Sequence, residues 1–215
     1  TGAASGVATK YLARRNSSRV GLLGSGIQAQ TQLQAMCAVR PIKLAKVFSP
    51  TSDHRASFAK RMAAKLGIEV IPVTKPEEAV RESDIVIAAS AAKTPIMSGN
   101  WLMPGTHVNG IGSHTPDARE LDENTIKRSK IVVDSMEAAL REAGDLLIPI
   151  ANGIVNQEHI FGELGELVLG KKAGRINEDE ITLFKSQGLA IEDISTAKLV
   201  YQKAKAAGKG MELHI

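Results

Sequence analysis

A short glycine-containing turn is the segment whose residue types and spacing point most directly to chemistry. The apolar run Val20–Leu23 ends at Gly24-Ser25-Gly26-Ile27-Gln28-Ala29, and a polar helical segment follows. Gly24 permits a sharp exit from a strand, Gly26 leaves room for a diphosphate, and Ala29 lets the helix pack closely. A second apolar run, Leu44–Phe48, follows at the spacing of the next strand. The pattern predicts a dinucleotide-binding turn, with a purely structural glycine turn as the alternative.

The residues after the second apolar run bear on which dinucleotide is bound. An Asp or Glu at this point would accept a hydrogen bond from the ribose 2′-hydroxyl of NAD and repel the 2′-phosphate of NADP. The sequence instead has Ser49 and Thr51, with Arg55 on the next helix. Hydroxyls and a guanidinium can bind a phosphate, so the pattern favours NADP(H), with NAD(H) as the alternative. Asp53 opposes this interpretation, and turn or capping roles explain the hydroxyls equally well.

Composition excludes several classes of protein. The chain has 215 residues, 43% of them apolar, a net charge of +4 and only 3% aromatic residues, so we expect scattered solvated charges rather than a nucleic-acid surface. Its apolar runs are too short to span a membrane, and Cys37 is the single cysteine, so we expect a cytoplasmic protein. His54 and His159 lack the partner spacing of metal ligands, so no metal site is predicted.

Alternating strand and helix patterns over the first two thirds of the chain predict an α/β fold with a parallel sheet. Helices are predicted near 3–14, 53–66, 76–82 and 123–128, and after Pro149 near 158–169 and 191–207. Six strands are predicted, five of them at 19–23, 44–48, 84–89, 106–111 and 130–134 and a short one at Val70-Ile71. The chain starts without a methionine or a helix-capping sequence, so we expect an N-terminal part to be missing.

Several segments together resemble one enzyme family. The longest is Trp101–Asp122, which contains Gly112-Ser113-His114-Thr115-Pro116; the others are 1–6, 24–29, 162–166 and 184–190. In order and spacing they are similar to the ornithine cyclodeaminase/mu-crystallin family, whose members are NAD(P)-dependent. The resemblance implies a doubly wound Rossmann domain over 19–188. It further implies that a linker helix over 1–18 and a C-terminal helix over 189–215 join a substrate and dimerisation domain, giving a homodimer.

The resemblance also implies roles for individual residues. Ile27 and Gln28 would contact the diphosphate, Ser49 the adenosine ribose and Ser90 the middle of the cofactor. Ser186 and Gln187 would close the pocket over the substrate, and Ser186 would also contact the cofactor. The residues implied on the nicotinamide side are Val108, Asn109, Gly110 and Ile111.

His114 departs from the pattern of the cyclodeaminases, which have an aspartate at this position. Histidine can transfer protons near neutral pH but offers no fixed negative charge to the ornithine ammonium group. We therefore predict an oxidoreductase in which NAD(P)H reduces the C=N bond of a cyclic imino acid of the pyrroline- or piperideine-2-carboxylate type, with His114 as proton donor. The alternatives are an ornithine cyclodeaminase, an alanine dehydrogenase, and an NADPH-binding protein like mu-crystallin. The alternative for His114 is a loop residue that only hydrogen-bonds its own loop.

Overall fold

A computed structural model describes residues 1–211. The strands are β1 (Arg19–Leu23), β2 (Leu44–Phe48), β3 (Glu69–Val73), β4 (Ile85–Ala88), β5 (His107–Gly110), β6 (Lys130–Val133), β7 (Ile160–Glu163) and β8 (Thr182–Lys185). The α-helices are α1 (Gly2–Leu12), α2 (Ile27–Val39), α3 (Ser52–Leu66), α4 (Pro76–Val80), α5 (Glu123–Arg128), α6 (Met136–Glu142), α7 (Gly144–Ala151), α8 (Leu164–Val168) and α9 (Ala190–Ala206). Short 3₁₀ turns occur at Gly99–Trp101 and Gln157–His159.

All eight strands form one parallel sheet in the order β3-β2-β1-β4-β5-β8-β6-β7. The predicted α/β Rossmann-type fold is therefore confirmed. The order reverses between β1 and β4, because the chain first builds outward to β3 and then returns to the other side of β1. In open parallel sheets, ligands bind at the carboxyl ends of the strands beside such a reversal.

Helices cover both faces of the sheet, because buried side chains of each strand alternate between the two sides. Ile85 and Ile87 of β4 pack in a core with Phe58 of α3, together with Leu33 and Met36 of α2. The intervening Val86 and Ala88 pack on the opposite face with residues of α4, α5 and α7. This two-sided burial explains why a central strand such as β4 is apolar throughout.

The C-terminal third differs most from the sequence-based prediction. The predicted helix near 158–169 is wrong in its first half, where β7 precedes the five-residue α8. β8, which was not predicted as a strand, lies between β5 and β6 and completes the sheet. The six predicted strands are thus present, with two more beyond them.

No side chain of the C-terminal helix α9 is fully buried against the rest of residues 1–211. Large apolar side chains on it are exposed, among them Ile191, Ile194 and Tyr201. The predicted C-terminal segment ran to 215, and its last four residues lie outside the described part.

Residues 1–211 offer neither a membrane-spanning helix nor a cluster of metal ligands. No helix in this range is long and apolar enough to cross a membrane. No group of three or more His, Cys, Asp or Glu side chains in the same range is arranged to hold a metal ion.

Candidate active site

The glycine turn lies between β1 and α2, at the carboxyl edge of the sheet. Gly24 has a φ of +117°, which L side chains rarely adopt, and a Cβ on it would overlap the carbonyl oxygen of Ala89. Gly26 has φ −80° and ψ −169°, and a Cβ there would meet no atom of residues 1–211 within 4 Å. The packing of the protein itself therefore requires Gly24, whereas Gly26 borders open space in front of α2.

The first turn of α2 faces this open space. Gly26 is the N-cap residue and has no side chain to accept from the N–H groups of the first turn. Ile27 is 80% exposed and Gln28 is also exposed, whereas Ala29 is buried against the sheet. Unpaired N–H groups and the positive end of the helix dipole attract an anion. The turn and helix thus fit the diphosphate of a dinucleotide.

The turn after β2 contains the residues predicted to select the cofactor. Ser49 is buried, and Thr51 is the N-cap of α3. Arg55 donates from Nη1 to the carbonyl oxygens of Ser49 (2.9 Å) and Pro50 (3.3 Å). Arg55 therefore holds the shape of this turn, a role that was not predicted for it.

The four residues predicted on the nicotinamide side differ in where they point. The side chain of Val108 belongs to the core, and Asn109 is buried with its Nδ2 donating to Thr9 Oγ1 at 3.3 Å. Gly110 and Ile111 lie at the carboxyl end of β5, where Ile111 is 1% exposed. The side chains of Val108 and Asn109 are thus fully buried, and neither is exposed at this edge of the sheet.

Asp134 organises the segment after β8. Its Oδ2 accepts from Ser186 Oγ (3.0 Å) and from the backbone N–H groups of Gln187 and Gly188 (both 2.7 Å). The amide Nε2 and Oε1 of Gln187 are shielded from solvent and have no hydrogen-bond partner among residues 1–211. A buried amide with both groups unpaired is costly, so this side chain is suited to bind a polar ligand.

His114 lies in the loop that follows β5, at the same edge of the sheet as the glycine turn. His114 is exposed to solvent. The neighbouring Ser113 is fixed by a hydrogen bond from its Oγ to the carbonyl oxygen of Ala118, at 2.6 Å. Partial burial and then the charge of Lys185 lower the pKa of His114 below its ordinary value. The imidazole is therefore predominantly neutral at pH 7 and acts as a proton donor more readily at lower pH.

Glu120 was not predicted as a functional residue, yet it joins two loops of the site. It is fully buried, and its Oε1 accepts from the N–H of Ser90 at 2.7 Å while Oε2 accepts from the N–H of Gly112 at 2.6 Å. Burial is the main cause that raises its pKa to about 7, whereas hydrogen bonding with Ser90 and the charge of Lys185 oppose that rise.

A buried ion pair lies next to Glu120. Asp145 Oδ1 accepts from the backbone N–H groups of Glu120 and Leu121, at 2.8 and 3.0 Å. Asp145 Oδ2 stands 3.2 Å from Lys185 Nζ, and both side chains are fully buried. Lys185 in turn donates to the carbonyl oxygen of Ser113 at 2.8 Å. The sequence signal that could have revealed this cluster is Lys185, which directly follows the uncharged run 181–184.

The match to one family model extends over nearly the whole chain. The model of the ornithine cyclodeaminase/mu-crystallin family matches residues 1–208. The chain belongs to this family.

Relatives of this chain within the ornithine cyclodeaminase/mu-crystallin family differ in the activity for which they are named. A Δ1-pyrroline-2-carboxylate reductase of Bacillus cereus is 44% identical over 214 residues, covering 99% of this chain and 66% of the relative. The ketimine reductase mu-crystallin of Rattus norvegicus is 36% identical over 201 residues, covering 94% and 60%. The chain thus spans less than two thirds of the length of these relatives.

A solved structure of the family agrees closely with the fold described above. The Δ1-pyrroline-2-carboxylate reductase of Thermococcus litoralis, in complex with NADH and L-proline, is 51% identical with a TM-score of 0.96. The match covers 99% of this chain and 66% of that chain. An archaeal alanine dehydrogenase dimer with bound NAD is 36% identical with a TM-score of 0.92, covering 100% and 66%.

Proposed function

We propose that the protein is an NAD(P)H-dependent reductase of small cyclic imino acids of the Δ1-pyrroline-2-carboxylate type. The observation that carries the proposal is the agreement, across 99% of the chain, with a reductase structure that holds NADH and L-proline. The open turn at Gly26 and the loop of His114 lie at one edge of the sheet, as a shared dinucleotide and substrate site requires.

Binding of the cofactor depends on the glycine turn. The N–H groups at the start of α2 receive the diphosphate in the space that Gly26 leaves open. When bound, the dinucleotide supplies the hydride that the imine carbon accepts. The backbone at Gly110 and Ile111 forms the wall beside the reacting ring, and the helices on both faces of the sheet fix that wall in place.

His114 provides the proton that balances the reaction. The imine carbon gains a hydride and the nitrogen gains a proton, so the C=N bond becomes a C–N bond of a cyclic amino acid. A protonated ring nitrogen of His114 donates that proton and the imidazole is left neutral. The lowered pKa of His114 favours this release. Histidine in place of the cyclodeaminases' aspartate argues against ornithine cyclodeamination, because no carboxylate is offered at this position to the substrate's second ammonium group.

Ser186 and Gln187 complete the pocket on the substrate side. The unpaired amide of Gln187 is suited to bind either the substrate carboxylate or the carboxamide of the nicotinamide. Asp134 holds the backbone of this segment through three hydrogen bonds, so the amide is presented in a fixed direction.

For the cofactor we propose that NADP(H) is accepted in addition to NAD(H). Ser49 and Thr51 place hydroxyls, and no carboxylate, at the positions predicted to face the adenosine ribose. Arg55 lies against the same turn and contributes positive charge to it. These residues support binding of a 2′-phosphate, while NAD(H) is the cofactor held by the two family structures described above.

We further propose the division into a linker helix at 1–18, a Rossmann domain at 19–188 and a helix from 189 that joins a dimerisation domain. The support is the exposed apolar surface of α9 and the dimeric state of the alanine dehydrogenase neighbour. A cytoplasmic location is also proposed, because these 215 residues contain a single cysteine and so form no disulfide among themselves.

Steady-state kinetics of the whole protein tests the activity. Δ1-Pyrroline-2-carboxylate with NADH or NADPH is expected to give turnover and proline. Ammonia release from ornithine, and oxidation of NADH with pyruvate and ammonia, are measured under the same conditions and are expected to be at least about tenfold slower, since one lost binding interaction of 1.4 kcal/mol has that effect. Cofactor binding without turnover of any of the three substrates would refute the proposed enzymatic activity and would support a role as a cofactor-binding protein.

A further inference from the structure

The buried carboxylate of Glu120 joins two loops that come from different strands. Ser90 follows β4 and Gly112 follows β5, and each donates its backbone N–H to one oxygen of Glu120. A Cβ on Gly112 would overlap Glu120 Oε2 and the Ser90 carbonyl oxygen, so the close approach depends on glycine at that position. The two loops are thus held at a separation set by the width of one carboxylate group.

The loop of His114 is held from a second side. Lys185 donates to the carbonyl oxygen of Ser113, which belongs to the peptide group that ends at the nitrogen of His114. Asp145 pairs with Lys185 at 3.2 Å and also accepts from the N–H of Glu120. One connected set of buried charges therefore fixes the residues on the N-terminal side of His114 and the base of the same loop.

The stability of the fold does not explain why the charged groups of Glu120, Asp145 and Lys185 are buried. Two carboxylates and one ammonium group without solvent contact cost more to desolvate than a set of apolar side chains of the same volume. Such groups are retained where they specify one geometry, as buried polar residues do in coiled coils. Glu120 does not contact the substrate, because it has no exposed surface and a backbone N–H occupies each of its oxygens.

We propose that Glu120 is a positioning residue for imine reduction, which sets the His114 loop relative to the cofactor-side loop of Ser90. The inference rests on the proposed function for its kinetic consequence. Only a group with two acceptor oxygens holds both loops. Glutamine at 120 has the same size but turns an N–H₂ group toward one of the two donors, so one loop is released.

The test compares Glu120→Gln with a matched control at the opposite edge of the sheet. Asp84 also accepts two backbone N–H groups, those of Ser18 at 2.8 Å and Arg19 at 3.0 Å, both at Oδ2, while its Oδ1 accepts from Arg14 at 2.7 Å. Asp84→Asn therefore removes the charge of another carboxylate that binds backbone N–H groups, far from the site. In Glu120→Gln we expect kcat to fall about 10²-fold, the effect of a displacement near 1 Å, with NADH affinity within about threefold of the wild type. In Asp84→Asn we expect kcat to change less than about threefold despite lower stability.

A second measurement does not depend on turnover. Amide hydrogen exchange of the NADH-bound protein is followed in peptides that contain Ser90 and Gly112. We expect one of these peptides to exchange about 5- to 150-fold faster in Glu120→Gln, as for loss of 1–3 kcal/mol at a buried donor, with other peptides unchanged. Should Glu120→Gln fail to fold, Glu120→Asp replaces it, because the shorter carboxylate reaches only one loop.

The two proposals fail separately. Unchanged exchange at both peptides, or an equal loss of kcat in Glu120→Gln and Asp84→Asn, overturns the role of Glu120. If the wild type reduces no imine, the proposed function fails, and faster exchange confined to one of the two loops still supports positioning by Glu120.

Discussion

Gly24 lies so close to Ala89 that a Cβ on the glycine would overlap the carbonyl oxygen of the alanine. Two residues later the situation reverses, since a Cβ on Gly26 would meet no atom of residues 1–211 within 4 Å. The two glycines of one turn therefore have separable roles, one in packing β1 against the end of β4 and the other in leaving space for a ligand.

Gly26→Asp is expected to abolish dinucleotide binding and leave the melting temperature nearly unchanged. The carboxylate would occupy the space before α2 and repel the diphosphate. The matched control, Gly24→Ala, should lower the melting temperature, because alanine is strained at a φ of +117°. NADH fluorescence titration and thermal unfolding separate the two effects. Unchanged NADH affinity in Gly26→Asp would mean that the turn is only structural.

Ser49→Asp is expected to weaken the binding of NADPH relative to that of NADH. The new carboxylate would accept from the ribose 2′-hydroxyl and repel a 2′-phosphate. The ratio of the two dissociation constants is measured before and after the change, with Ser52→Asp on the adjacent helix turn as a control for charge alone. A wild type that binds NADH far more tightly than NADPH would contradict the role given to Ser49, Thr51 and Arg55.

His114→Ala is expected to reduce kcat for imine reduction by about 10²–10⁴-fold, the usual contribution of a general acid, with little change in NADPH affinity. The wild-type rate should fall as pH rises through the lowered pKa of His114, because only the protonated ring donates. His114→Asp should also reduce imine turnover and raise any ornithine conversion. Near-full activity of the alanine variant with an unaltered pH profile would assign the proton to another source.

Lys185→Met is expected to lower the free energy of unfolding by about 3–5 kcal/mol, because it leaves the buried carboxylate of Asp145 without its partner. Arg81→Met provides the control, since Arg81 and Glu77 form an exposed pair on α4 for which about 0–1 kcal/mol is expected. Urea denaturation of both variants gives the comparison. Equal, small losses would show that the buried pair tolerates removal of its cation.

The raised pKa of Glu120 leads us to expect that the stability of the protein depends on pH. Its pKa is raised from 4.5 to about 7 in the folded protein, so the folded state holds this proton over a pH range in which the unfolded chain has released it. The stabilisation is complete below about pH 4.5 and is lost as pH rises through about 7. Relative to Glu120→Gln, the free energy of unfolding of the wild type should therefore decline between these values. A parallel pH dependence for the two proteins would exclude a raised pKa at Glu120.

Much of the fold could be predicted from sequence, because local patterns and the glycine turn determine β1, α2 and β2. β7 was missed because it runs directly into α8, so its residues were included in one predicted helix. β8 was missed because Thr182-Leu183-Phe184-Lys185 is neither a continuous apolar run nor an alternation of apolar and polar residues. The place of β8 between β5 and β6 is fixed by pairing with distant residues, which no local pattern contains.

The candidate site was predicted less completely than the fold. Motif spacing identified Gly24 and Gly26, and the family resemblance identified the His114 loop; the structure brings them to one edge of the sheet. Glu120 and Asp145 were missed because charged residues in a sequence indicate solvated surface on average, and only the tertiary structure encloses them. The same limit applies to Val108 and Asn109, whose inward direction follows from the register of β5.

The position of β8 affects the order in which the strands can pair while the protein is being synthesised. His107 of β5 pairs with Thr182 of β8, 75 residues later in the chain. While the ribosome has not yet released β8, the nascent chain can pair β3, β2, β1, β4 and β5, but β6 has no neighbour that connects it to them. The nucleotide half of the domain can therefore form first, and the edge of β5 stays open to wrong partners until synthesis passes residue 185.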